Sequence, residues 1–278
     1  MKHKLLKKIT AYSAAALFCA MTAAPAQAFT AWPLDVGGIP VPLPLRDITG
    51  GGTLGGDPDA ENTAPGEDGI TMGGKRNTAR GQDSITISGY NNYVDGRYSV
   101  SLGGISNIAG GNRSVTVGGF ENIATSGDGA MAIGGYRNTA SGADSLVLGG
   151  NGHNANGEQA VAVGGSESTV NGVQSVAIAG WKNTTTGKLS TVIGGVYNTT
   201  SEVYSAVLTG RENIASGSGS AVVTGFQNNA SGERGAVIGG RNNTASGSLT
   251  SVFGGSYGTA AGGTSAVVGG FRNNASGD

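Results

Sequence analysis

Chemistry at a protein surface needs side chains that move protons, attack carbonyls or hold metal ions, and this chain offers few of them in useful company. It has two histidines, His3 and His153. His153 stands in a recurring position otherwise held mostly by asparagine, which reads as a structural replacement rather than a general base. Glu121, Asp128, Asp144 and Glu167 are scattered, with no recurring carboxylate pair for acid–base work. Serines recur at Ser84, Ser99, Ser114, Ser145 and Ser175, but no histidine accompanies them to accept a proton. Paired glycines recur as well, yet without the strand–glycine–helix context of a phosphate loop. The regular aspartates of calcium-binding nonapeptide repeats are also missing. These residues predict a non-enzymatic protein with no cofactor and no metal. What remains is surface chemistry. Tyr90, Phe120, Tyr136, Trp181, Phe226 and Phe271 share one repeat position, and exposed rings in a row are the usual material of a binding face. The alternative is that these rings cover the joins between coils or meet a neighbouring subunit.

The elements that must position them are written in a short repeat. Anchored on the second of its paired glycines, it runs through Gly74, Gly89, Gly104, Gly119, Gly135 and onward to Gly270. The step is 15 residues throughout, except for 16 between Gly119 and Gly135, where an extra residue falls near Thr125 and Ser126. A fixed short period means a solenoid, in which no unit buries its apolar face alone and each stacks on its neighbours. Fourteen such coils at strand spacing make a rod on the order of 65 Å long.

Two residues before each anchor the chain is always apolar, from Met72, Ile87 and Leu102 to Phe253 and Val268. Four residues before it is apolar through the first eight copies, beginning with Ile70 and Ile85. Residues two apart share a side of a strand, so each coil is expected to hold a short strand with these two side chains inward. The residue between them then points out. It is Thr71, Thr86, Ser101 and Thr116 in the first copies and Val192, Val207, Val222, Val237, Val252 and Val267 in the last six. Six outward valines would form an apolar stripe that soluble monomers rarely keep, so they are expected to line a contact between identical subunits.

Three residues after the anchor, asparagine recurs in 11 of 14 copies: Asn77, Asn92, Asn107, Asn122, Asn138, Asn183, Asn198, Asn213, Asn228, Asn243 and Asn273. Asparagine tolerates the left-handed region and bonds to nearby backbone, so these residues are read as corners. Stacked at coil spacing, their amides are also suited to a hydrogen-bonded ladder. A row of metal or sugar ligands is the weaker reading, because amides without nearby carboxylates are poor cation sites.

Residues 1–28 read as a secretory signal. Lys2, Lys4, Lys7 and Lys8 form the basic end, Ile9 to Ala24 the apolar stretch, and Ala26-Gln27-Ala28 the cleavage site. The single cysteine, Cys19, lies within it, so the exported chain from Phe29 onward has no disulfide. Removing four lysines from a chain of net charge −1 leaves −5, which argues against a nucleic-acid partner. No second apolar run approaches the ~20 residues that span a membrane as a helix, so this chain is not expected to insert directly. Residues 29–67 are a proline- and glycine-rich leader or cap, with Pro33, Pro40, Pro42 and Pro44 among aliphatics. Residues 68–278 are the repeat domain. Its last coil reaches Asp278 uncapped, so further chain is expected beyond it.

The repeat resembles the head domain of trimeric autotransporter adhesins, the YadA-like family. Ser175-Val176-Ala177-Ile178 matches that family's strand motif, and Ser99-Val100-Ser101-Leu102 and Ser114-Val115-Thr116-Val117 are close variants. The resemblance implies a left-handed parallel β-roll from each chain and a homotrimer with three rolls side by side. It also implies display on the surface of a Gram-negative-type cell, or secretion, with host matrix such as collagen or other cells as partners. By the same resemblance Ser175, Val176, Ala177 and Ile178 become candidate ligand contacts. Two other readings stand beside it. One is a passive spacer or tail-fibre segment whose surface does no binding. The other is an ice- or carbohydrate-binding solenoid, for which Thr71, Thr86 and Thr116 begin a threonine column that the valines then replace.

Overall fold

The computed structural model describes residues 52–54, 61–126 and 128–277. The segment read as a secretory signal and the proline-dense part of the expected leader lie outside the described residues. Every described element is a short parallel strand. Three-residue strands, shortened to two at Ala206–Val207 and Ala221–Val222, form a 15-stranded front sheet that runs from Gly52–Leu54 through Ile70–Met72 to Ala266–Val268. Two-residue strands from Thr78–Ala79 to Asn274–Ala275 form a 14-stranded back sheet. A single-residue ladder, Lys75 to Tyr90 to Ile105 and so on to Phe271, runs along the edge between them. Each residue pairs with the one a full coil ahead, as Val100 does with Val115. The fold is therefore an all-β parallel solenoid of about fourteen coils of about 15 residues, with no helix among the described residues. The stacking also reaches upstream of residue 68. Gly52–Leu54 pairs with Ile70–Met72, and the Asn62 side chain accepts the Asn77 backbone N–H at 2.9 Å.

The extra residue is absorbed without loss of register. Val115 pairs with Met131, 16 residues on, and the bend is taken up near Ser126 and Gly129, whose φ angles are 67° and 75°.

The inside of the coil is the reverse of the expectation. The middle residue of each front strand points in, and its two neighbours point out. Val192, Val207, Val222, Val237 and Val252 are 0 % exposed and Val267 is 4 % exposed within the single chain. They are core, packed with Ala215, Ala230, Ala245 and Ala260 from the back sheet, and so cannot line a contact between subunits. The reason is volume. Two sheets of one narrow coil face each other closely, and the inward positions hold only Ala, Val, Thr and Ser. Ile, Leu, Met and Phe do not fit there, so they are left on the outer face, where Met72, Leu148, Ile193, Leu208 and Phe253 are 40–46 % exposed. A period of two identifies side chains that share a face, but the space available decides which face turns inward. The column of Thr71, Thr86 and Thr116 is interior too, and offers no surface to ice or sugar.

The corner is also built differently in detail. The left-handed residue is the one before the asparagine, such as Arg76 (φ 58°), Glu121 (φ 53°) or Lys182 (φ 53°). The asparagines themselves are buried as a ladder, apart from Asn273 in the last coil. Asn77 Oδ1 accepts the Asn92 backbone N–H at 3.0 Å, and Asn92 Oδ1 accepts that of Asn107 at 3.0 Å. The Asn107 amide nitrogen donates to the carbonyls of Gly103 (3.3 Å) and Gly119 (3.4 Å). This contact explains the second glycine of each pair. A Cβ on Gly104 would lie 2.3 Å from Asn107 Nδ2 and 2.6 Å from Gly119 O. The first glycine has open space, and its requirement is only for positive φ, which Ser88 and Ala179 also adopt at 60° and 56°.

Candidate functional site

Three surfaces leave the coil: the front sheet's outer face, the back sheet's outer face and the edge ladder. On one side of its inward column the front face carries large apolar side chains from Met72 to Val268; on the other it does so from Ile70 to Val176, after which Thr191, Ala206, Ala221, Ala236, Ser251 and Ala266 follow. Of the four candidate contact residues on Ser175-Val176-Ala177-Ile178, the structure removes two. Ser175 is fully buried, its hydroxyl donating to Gly172 O at 2.6 Å, and Ala177 is core. Val176 and Ile178 remain on the outer face. The back face is different in kind. From Thr139 to Ser246 its outward positions are almost all Thr, Ser and Asn, including Thr169, Asn171, Thr184, Thr186, Thr199 and Ser201.

The edge ladder holds the six aromatic residues. Parallel bridges connect Phe120 to Tyr136 and place Tyr90, Trp181, Phe226 and Phe271 in the same column. Tyr90, Tyr136 and Trp181 are 38–40 % exposed and Phe271 is 62 % exposed. Neighbouring rings widen some of these sites. Phe120 stacks on Tyr136 with centroids 5.3 Å apart, Tyr197 meets Trp181 edge-on at 5.0 Å, and Tyr257 meets Phe271 at 5.8 Å.

Cations lie over these rings. Arg137 is 4.7 Å from the Tyr136 centroid, Lys182 is 4.8 Å from Trp181, and Arg272 is 5.1 Å from Phe271. Arg211 and Arg241 each lie 5.5 Å from Phe226, and Arg76 is 5.8 Å from Tyr90. Carboxylates pair with several of them: Arg76 with Glu61 at 2.6 Å, Arg137 with Glu121 at 2.5 Å, Lys182 with Glu167 at 3.3 Å and Arg211 with Glu212 at 2.8 Å. Hydrogen bonding to Arg76 holds the Glu61 carboxyl below its ordinary range, and Glu167 raises the Lys182 ammonium. These pairs are in water and add little to stability. They set donors and acceptors beside a ring. The cations are legible in the sequence as aromatic–basic neighbours, in Tyr136-Arg137, Trp181-Lys182 and Phe271-Arg272.

The residues considered for catalysis are placed elsewhere. Ser84, Ser99, Ser114 and Ser145 are buried beneath the front strands. His153 is 1 % exposed and takes a rung of the asparagine ladder. Its backbone N–H donates to Asn138 Oδ1 at 3.1 Å, and its Nδ1 accepts the Ser168 N–H at 3.2 Å. Burial pushes its pKa below the usual 6.5, partly offset by contacts with the backbone of Gly165, Gly164 and Ser168. Among the described residues no group of three His, Cys, Asp or Glu is placed to hold a metal ion.

No protein-family model matches the chain, and no curated protein matches it in sequence.

Proposed function

We propose that this chain is an exported, non-enzymatic adhesin head of the trimeric autotransporter type. In this reading three left-handed rolls stand side by side on a Gram-negative-type cell surface, and the edge ladder meets host matrix or other cells. The observation that carries it is the outer face of the front sheet. Met72, Leu102, Leu148, Ile178, Ile193, Leu208, Ile238 and Phe253 stand 38–46 % exposed in one continuous face of a single chain. Soluble proteins rarely leave so long an apolar face uncovered, and sheets apolar on both faces are ordinarily buried on both. An identical roll turned toward a common axis would cover it along its whole length. Self-association thus rests on the outward strand ends and not on the interior valines beside them. With the front face given to the trimer, Val176 and Ile178 belong to the subunit contact, and the edge ladder is left for a partner.

Sedimentation of the exported chain from Phe29 tests this reading. A trimer is expected. The double substitution Ile193→Glu with Leu208→Glu should release monomers that keep their β-sheet circular dichroism, because both side chains already lie outside the coil. A monomeric unaltered chain overturns the proposal. Attachment to collagen-coated surfaces and to cultured cells, measured on the same preparations, separates adhesion from a passive spacer, which would hold the trimer and attach to nothing.

A further inference from the structure

The edge ladder has a period that the 15-residue repeat does not require. Starting at Tyr90, every third coil places an aromatic residue on it: Tyr90, Tyr136, Trp181, Phe226 and Phe271. The step is 45 residues except across the inserted residue, where it is 46, and the bridges show that this step too spans three coils. The rings therefore keep their spacing in the structure where the sequence loses it. At strand spacing, three coils separate successive rings by about 14 Å. Two of the intervening ladder residues are also apolar and large, Ile105 and Phe120, but the other ladder positions after Tyr136 hold Asn151, Ser166, Val196, Arg211, Arg241 and Ser256.

Each of the five rings has a cation against its face, at 4.7–5.8 Å. At four of them that cation is also paired with a carboxylate, from Glu61, Glu121, Glu167 or Glu212. At Tyr90, Tyr136 and Trp181 the unit is thus a flat ring flanked by a donor and an acceptor whose charges cancel, while Phe226 carries a second arginine, Arg241, and Phe271 has Arg272 alone. We propose that this edge binds an extended neutral glycan, laid along the roll with its sugar rings stacked on every third coil. This rests on the reading of the edge ladder as the partner-facing surface, and names the class of partner.

The chemistry favours that class. The axial C–H groups of a pyranose carry a slight positive charge and lie well against the negative face of an aromatic ring, here the face that the cation leaves open. Its hydroxyls both donate and accept, so a fixed arginine–glutamate pair can hold one from each side. At Tyr90, Tyr136 and Trp181 each cation is already matched by a carboxylate, which leaves no net charge there to favour a polyanion, and a folded protein partner has no reason to repeat at a fixed spacing along five sites. A linear polysaccharide does repeat, and its successive contacts strengthen one another through effective concentration.

Affinity electrophoresis of the exported chain through gels containing laminarin, xylan or hydroxyethyl cellulose tests this. Retardation by at least one polymer is expected. Trp181→Ala should weaken binding about tenfold, and the triple change Tyr136→Ala, Trp181→Ala and Phe226→Ala on the order of 10²–10³-fold, since the contacts act together. Thermal unfolding should be unchanged, because these side chains lie outside the core. A shifted ring, Trp181→Ser with Ser166→Trp, keeps the composition but breaks the period, and should bind a long polymer no better than Trp181→Ala. Retardation by none of the three polymers overturns the inference, as does retardation that the triple variant retains. Attachment to collagen or cells without any polysaccharide binding sinks the glycan and leaves adhesion standing. Polysaccharide binding without attachment does the opposite.

Discussion

The first four coils and the last six enclose the same space with different chemistry. At the inward position of the front strands, the first four carry Thr71, Thr86, Ser101 and Thr116, and the last six carry valine. All are buried. The three threonine hydroxyls find acceptors inside the coil: Thr71 donates to Thr63 O at 2.9 Å, Thr86 to Thr78 O at 3.4 Å, and Thr116 to Ser101 Oγ at 3.0 Å. Valine and threonine have nearly the same shape. At this position the interior selects for volume first and accepts either polarity. The valine half holds a continuous apolar cluster with the back-sheet alanines, whereas the threonine half replaces that contact with internal hydrogen bonds.

Exceeding the volume should give the largest effect. Val222 packs between Val207 and Val237 and against Ala215 and Ala230. Val222→Phe is expected to destabilise the roll by about 3 kcal/mol, the upper part of the usual range for overpacking. Loss of amide hydrogen-exchange protection should centre on coils 207–237, since each coil contacts only its neighbours. A variant as stable as the parent would show that the interior is wider than its side chains indicate.

Changing polarity at constant volume should matter less. Val222→Thr is expected to lower stability by about 1–2 kcal/mol in chemical denaturation, the cost of burying a hydroxyl in the apolar half. If it costs as much as phenylalanine, polarity and not volume rules the interior, and the comparison fails.

Much of this architecture is legible in the sequence, and the part that is not has one cause. The anchor glycines fix the coil length, and the recurring Asn77, Asn92 and Asn107 announce the ladder. The side of the strand was not legible from hydrophobicity, because Val222 and Ile238 are both apolar. Only the closeness of the two sheets separates them, and that depends on the alanines of the back sheet, such as Ala230 and Ala245. Ser175 and Ala177 became candidate contacts through the resemblance of their strand to an adhesin motif, which names residues without saying which of them the coil buries. The ring positions were legible because they share one offset from the anchor, whereas their pairing with Glu121 and Glu167 depends on which coils become neighbours.

A third effect lies at the join between the two halves. His153 replaces asparagine in the ladder, and its Nδ1 must be unprotonated to accept the Ser168 N–H. The groups around it, Asn138, Gly150, Gly164, Gly165 and Ser168, carry no charge to compensate an imidazolium. Because the folded pKa lies below the unfolded value of about 6.5, the unfolded chain binds the proton more readily. The stability that His153 contributes is complete above that value and declines as pH falls through it toward the lower folded pKa. Melting followed from pH 8 to pH 4 should show this decline in the parent and a weaker one in His153→Asn, which restores an amide acceptor that does not titrate. Parallel curves for the two would mean that the ladder tolerates a charged rung.

The smallest effect is the converse exchange in the polar half. Thr86→Val removes a hydroxyl whose hydrogen bond, at 3.4 Å, is the longest of the three. It leaves Thr78 O without that donor, but adds a methyl group to a fully buried site flanked by Thr71 and Ser101. Loss of a weak neutral hydrogen bond and gain of apolar burial nearly cancel, so stability should change by less than about 1 kcal/mol in either direction. Replacing both partners of a buried hydrogen bond is commonly neutral, whereas replacing one strands the other. Here the stranded group is a backbone carbonyl with a second lone pair, which softens the loss. A change above about 2 kcal/mol, measured by chemical denaturation beside Val222→Thr, would mean that the hydroxyls of the first coils are required and not merely accommodated.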